Sequence, residues 1–128
     1  MSDVLVPISI GELVDKVTIL NIKQREISDP AKLANIRAEL AALSQVCADA
    51  GIDLASADAA ELERINGELW RVEDDIRDKE RAKAFDAGFI ALARAVYVIN
   101  DQRAAVKALI NAKAGSRLRE EKSYRDYK

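Results

Sequence analysis

Apolar side chains recur at alternating steps of three and four residues in four separate runs, and that spacing constrains the fold more than any other feature of the chain. The first run is Ile10, Leu13, Val17, Leu20 and Ile27, with Gln24 standing where a further apolar residue would fall. The second is Leu33, Ile36, Leu40, Leu43 and Cys47, and the third is Leu62, Ile65, Leu69, Val72 and Ile76. The fourth is Phe89, Leu92, Val96, Ile99, Val106 and Ile110, interrupted at Arg103. Each run predicts a helix with one narrow buried stripe. Together they predict an all-α fold, an antiparallel helical bundle of about four helices with left-handed packing.

The ends of these helices are also legible. Ser9 and Glu12 have the spacing of a capping box, flanked by Ile8 and Leu13 as a hydrophobic staple. Ser28-Asp29-Pro30 ends the first helix and opens the second, with Asp29 as the cap and Pro30 in the first turn. Gly51 followed by Ile52 reads as a glycine stop, and Ser56 or Asp58 opens the third helix. The third stripe lapses after Arg77, and Phe85-Asp86-Ala87-Gly88 is the expected turn into the fourth helix, which Gly115-Ser116 closes. Helices three and four then form a long C-terminal hairpin, each about 26 residues or roughly 40 Å. Such a hairpin offers more apolar length than the shorter first two helices cover, which predicts a homodimer.

The 128 residues are expected to form a single domain (1–128), with an extended arm over 1–9 in which Pro7 bars a central strand. Residues 116–128, with five basic and three acidic side chains, read as a tail that remains mobile, folds over a bundle end or pairs with a partner. Composition narrows function mostly by exclusion. Twenty basic and 22 acidic side chains give a net charge of −2, which argues against a nucleic-acid partner. The absence of histidine removes His-based catalysis and the usual His-containing metal sites. One cysteine allows no internal disulfide, and no apolar stretch is long enough to span a membrane. MSDVLVPISIG lacks the basic start of a signal peptide, so a cytoplasmic location is expected.

A few polar residues lack a routine place on a solvated face. Arg103 falls on the fourth apolar stripe, where an unpaired guanidinium would be costly, so a carboxylate partner such as Glu73 or Asp15 is expected. It reads either as an ion pair fixing helix register, a side chain reaching out to water, or a clamp for an anionic small molecule. Tyr97, Asn100, Lys107 and Asn111 share a neighbouring flank of the same helix. Two asparagines inside a helix are not there for propensity, so they point to interhelical hydrogen bonding across a dimer or to a polar groove for a ligand. Trp70 reads as a packing or interface anchor, and Cys47 as a small buried hydrophobe.

Acidic spacing supplies the one catalytic alternative. Glu12 and Asp15, and Asp75 and Asp78, are pairs one helical turn apart that could hold Mg²⁺ against a phosphorylated metabolite, as in the all-helical nucleotide pyrophosphohydrolases. The i,i+4 pairs Glu73–Arg77 and Asp75–Lys79 read instead as a solvated helix face. Asp15, Ile19, Ile22 and Arg25 also loosely resemble the first helix of the helical chorismate mutases, though the lysine loop of that family has no counterpart here.

Three stretches carry a broader resemblance: Ile10–Lys23, Asn66–Arg77, and Ala93–Arg103 continuing to Lys107 and Asn111. With Glu120–Tyr124 they resemble a bacterial family of small helical proteins known only as a domain of unknown function. The resemblance implies a helical fold and a setting among glycosyltransferase and surface-polysaccharide genes. It implies no catalytic residue. The expectation from the whole sequence is a non-catalytic, dimeric binding or interaction protein without a cofactor. The Mg²⁺-dependent enzyme is the alternative.

Overall fold

Four side-chain oxygens start four helices. Ser9, Asp29, Ser56 and Asp86 each accept a backbone N–H three residues on, at 3.1, 2.9, 3.1 and 3.0 Å. The computed structural model describes residues 2–128 and forms helices α1 (Ile10–Glu26), α2 (Pro30–Asp49), α3 (Ala57–Arg81) and α4 (Ala87–Ala114). Among the described residues there is no strand, and the protein is an all-α bundle. Of the arm expected over 1–9, Met1 lies outside the described residues. From Ser2 onward the arm carries no helix, and its Val4, Leu5 and Val6 are exposed.

Ser56, not Asp58, caps α3. The turn between α3 and α4 lies earlier than the residues Phe85–Gly88 suggest, because α3 stops at Arg81 and α4 has begun by Ala87. The stop is a helix C-cap without glycine: Ala84 N–H bonds back to the Lys79 carbonyl at 2.9 Å, and Lys83 takes the left-handed conformation at φ 55°. Gly51 and Gly115 meet the same demand at φ 70° and 67°, where their missing Cβ makes it cheap.

The packing is organised around α1. That helix touches each of the other three, whereas α2 packs on α1 alone and the most extensive contact is between α3 and α4. Val14 of α1 meets Ala59, Leu62 and Ile110, while Leu13 and Val17 meet Cys47 of α2. Ile52 and Leu54, from the α2–α3 connection, pack against both clusters and join them. Ile8 packs on the Leu13 side, as a hydrophobic staple requires. Side chains such as Leu62 and Ile65, no more than 1% exposed, each stabilise the fold by about 1.5–3 kcal/mol. Burial also raises the Cys47 thiol above its ordinary pKa, which keeps it protonated and unreactive.

Helix length then decides where the core stops. The 17 residues of α1 reach about 25 Å, against about 38 Å for α3 and about 42 Å for α4. The buried positions of α3 are Ala59, Leu62, Ile65 and Asn66, and those of α4 are Ile99, Lys107, Ile110 and Asn111. Of the described residues, none from 67 to 98 is buried. Ile19 and Ile22 of α1 still line a cleft with Leu69, Trp70 and Arg77, and beyond it the two helices of the hairpin have chiefly each other for cover.

Candidate functional site

Asp15 is the one carboxylate in the core, 1% exposed on a helix whose other buried positions are mainly apolar. Desolvating it is tolerable only because two other helices bring partners to it. Arg103 of α4 donates from Nε and Nη2 to the two carboxylate oxygens at 3.0 and 2.5 Å. Asn66 of α3 donates from Nδ2 to the same carboxylate at 2.8 Å and to Thr18 Oγ1 at 3.0 Å. Thr18 in turn donates to the Asp15 carbonyl at 2.8 Å. The carboxylate contact and its charge hold Arg103 above its ordinary pKa. Of the two partners expected for Arg103, Asp15 is the one the fold supplies.

One turn towards the start of α1, a second ion cluster forms around Lys107. Its ammonium donates to Glu12 at 2.6 Å and to Glu120 at 3.2 Å, and lies 4.0 Å from Asp15. Glu12 therefore serves two elements: its backbone N–H takes the Ser9 cap, while its carboxylate reaches α4. Next in line, Asn111 Oδ1 accepts the Gly11 N–H at 2.6 Å, and Ser116 Oγ accepts the Ile10 N–H at 3.1 Å. Orphan donors at the start of α1 are thus satisfied by α4 and the residues after it. The approach is close enough that a Cβ on Gly11 would stand 2.5 Å from the Lys107 carbonyl oxygen.

The tail after α4 turns back along that helix. Glu120 meets Lys107, and Tyr127 donates to Asp101 at 2.7 Å with its ring 4.8 Å from the Tyr97 ring. Lys122 pairs with Glu120, and the two cations hold the Glu120 carboxyl below its usual pKa, Lys122 most strongly. The Tyr127 phenol is held above its ordinary pKa by its bond to Asp101.

The residues singled out in the sequence divide accordingly. Tyr97, Asn100, Arg103 and Lys107 lie along the side of α4 that the tail crosses. Asn111 is turned inward to Gly11. Glu73 stays on α3, paired with Arg77 at 3.0 Å, and shares a cleft of about 440 Å³ with Trp70, Asn66 and Arg103. The four acids considered for Mg²⁺ separate into different roles. Glu12 and Asp15 face Lys107 and Arg103, whereas Asp75 and Asp78 are exposed on α3 and Asp78 pairs with Arg81 at 2.5 Å. Among the described residues, no group of three or more acids or cysteines is placed to hold a metal ion. No buried side-chain nitrogen or oxygen among them lacks a hydrogen-bond partner.

Other participants, among them Asn66, Gly11, Thr18, Ser116 and Glu120, carry no comparable mark in the sequence pattern or a weaker one. Asn66 follows Ile65 inside a helix, and its weaker mark is a single amide where propensity does not favour one. Gly11, in the first turn of α1, signals a close backbone approach. Nothing in the local pattern marks Glu120, whose partner lies 13 residues back.

The chain belongs to the DUF6165 family of unknown function, whose sequence profile matches residues 4–127 and so covers every contact of this junction. No curated protein and no solved structure matches the chain.

Proposed function

We propose that the protein is a non-catalytic, homodimeric interaction protein whose two copies join through the projecting α3–α4 hairpin. One observation carries this reading: no residue from 67 to 98 is buried, although the stretch contains Leu69, Trp70, Val72, Ile76, Leu92 and Val96 at helical core spacing. Two helices packed as a pair leave such a stripe half covered, and a second pair completes it as a four-helix bundle. Charge favours a copy of the same chain as the occupant. The stretch holds seven acidic and six basic side chains, so two hairpins meet without net repulsion and with both signs available for pairing. The cleft beside Trp70, where α1 runs out, gives that partner an aromatic anchor at the base of the hairpin.

The Asp15–Arg103 junction is, in this reading, the hinge plate of the hairpin: it fixes α3 and α4 against α1 and so aims the projecting end. We propose a link to surface-polysaccharide biosynthesis as the protein's setting, on the gene neighbourhoods that the resemblance in the sequence implies. A cytoplasmic place accords with a lone buried cysteine and with the absence of any described helix long and apolar enough to cross a membrane.

Light scattering tests the reading. The expected mass is twice the 14.1 kDa of the chain, falling to one chain in Leu92→Glu with helix content unchanged. A wild-type protein of single-chain mass at every concentration would overturn it.

A further inference from the structure

Beneath the returning tail lie two adjoining hollows. The first, of about 270 Å³, is lined by Asn100, Arg103, Lys107, Lys122 and Tyr124, and by no carboxylate. The second, of about 430 Å³, is lined chiefly by Tyr97, Tyr124 and Tyr127 with Val96, Arg125 and Asp101, whose carboxylate is taken up by the Tyr127 hydroxyl. They share Asn100 and Tyr124, so cationic and aromatic walls belong to one continuous groove.

The cations of the first hollow are balanced by three carboxylates that are held with unequal firmness. Arg103, Lys107 and Lys122 bring three positive charges; Asp15 and Glu12 neutralise two. The third is met by Glu120, which is 40% exposed, sits on a segment without helix or strand, and bonds to both lysines. Of the three carboxylates, only this one can leave without disturbing the core. Lys107, by contrast, is 9% exposed and held in place by Glu12.

We propose that this groove binds a small anion joined to a ring, a phosphate or carboxylate taking the place of Glu120 between Lys107 and Lys122 while the ring lies against Tyr97 and Tyr124. The Glu120 carboxylate is then an internal occupant that an external ligand displaces, while Lys122 and Tyr124 of the same tail stay in place as walls of the groove. Arg103 keeps its two bonds to Asp15 and offers Nη1, otherwise only 3.5 Å from Asn100 Oδ1, to the incoming anion. Tyrosine faces suit a nucleobase or the apolar face of a sugar, and the second hollow has room for either. Because Glu120 competes for the same cations, its neutralisation strengthens binding, the reverse of what loss of a structural ion pair does.

The probe is a nucleoside 5′-monophosphate, titrated by calorimetry and followed by amide chemical shifts, with inorganic phosphate alone and the nucleoside alone as separate arms. The expected result is binding with shifts at residues 97–107 and 120–127, at least tenfold tighter than either fragment. Glu120→Gln should tighten it about tenfold, and Lys122→Ala and Tyr124→Ala, both at exposed positions, should each weaken it severalfold. No binding, shifts elsewhere, equal affinity for a fragment, or weaker binding in Glu120→Gln would each overturn the proposal. The light-scattering mass reads dimerisation separately, so failure of one proposal is not failure of the other.

Discussion

Asp15 and Arg103 meet through two hydrogen bonds, but they are buried to different degrees: the carboxylate is 1% exposed and the guanidinium side chain 27%. That difference makes the pair unequal when one member is lost. In Arg103→Ala the carboxylate stays in the core with Asn66 as its remaining side-chain donor, and the expected cost is about 3 kcal/mol. In Asp15→Asn the guanidinium can turn to water, and the cost should be near 1–2 kcal/mol. Equilibrium urea unfolding of the two variants measures both. Equal losses would show that the carboxylate is not the desolvated partner.

Two glycines inside helices should respond to alanine with opposite sign. At Gly67 an added Cβ meets nothing within 4 Å, so Gly67→Ala should stabilise α3 by up to about 1 kcal/mol. At Gly11 the same Cβ would stand 2.5 Å from the Lys107 oxygen and 2.9 Å from Asn111 Oδ1, forcing α1 off α4. Overpacking of that kind costs about 1–3 kcal/mol, which outweighs the gain in propensity. Thermal melts of the two variants give the signs directly.

Lys83 occupies a left-handed position at the tip of the hairpin that costs a side chain about 1–2 kcal/mol. Its ion pair with Glu80 is exposed and worth little in return. Lys83→Gly should therefore raise stability by about 0.5–1 kcal/mol, part of the relief being lost to the greater freedom of glycine in the unfolded chain. Denaturant midpoints at constant slope check it.

The tail should be held within a pH window. Glu120 is depressed in the folded state, so its contribution is complete above the ordinary carboxylate range and disappears as pH falls through the lowered folded value. Tyr127 is raised, so its contribution is complete below the ordinary phenol range and disappears as pH rises through the higher folded value. Backbone ¹⁵N relaxation of residues 118–128 should show restricted motion at neutrality and release at both extremes, the acid release coming below the usual range for glutamate. A tail as mobile at neutrality as it is in Glu120→Gln would show that Glu120 does not hold it.

Much of the architecture was written locally. Ser9 and Asp29 start helices where their spacing says, and Gly51 and Gly115 stop them, because caps depend on residues three or four positions away. The α3–α4 turn was harder, since its left-handed position carries a lysine and so lacks the usual glycine mark. Polar residues on apolar stripes announced that Arg103 had a buried partner, but two carboxylates fitted equally well. Periodicity gives the face of each helix and not which neighbour it meets, so only packing distinguishes Asp15 from Glu73. The departure of α2 from a closed bundle has the same origin: its stripe of Ile36, Leu40, Leu43 and Cys47 is real, yet it is used against α1 alone.

Ser116 Oγ accepts from Ile10 N–H and donates to the Leu118 carbonyl at 2.7 Å, so a single hydroxyl clips the first residue of the first helix to the chain just beyond the last. The helical core thus begins and ends at one corner. The exposed apolar arm of Val4–Val6 leads into that corner, and the charged tail starts from it and turns back along α4 as far as Tyr97. A partner that grips the apolar arm is thereby held beside the root of the tail, with the hairpin tip at the far end of α4.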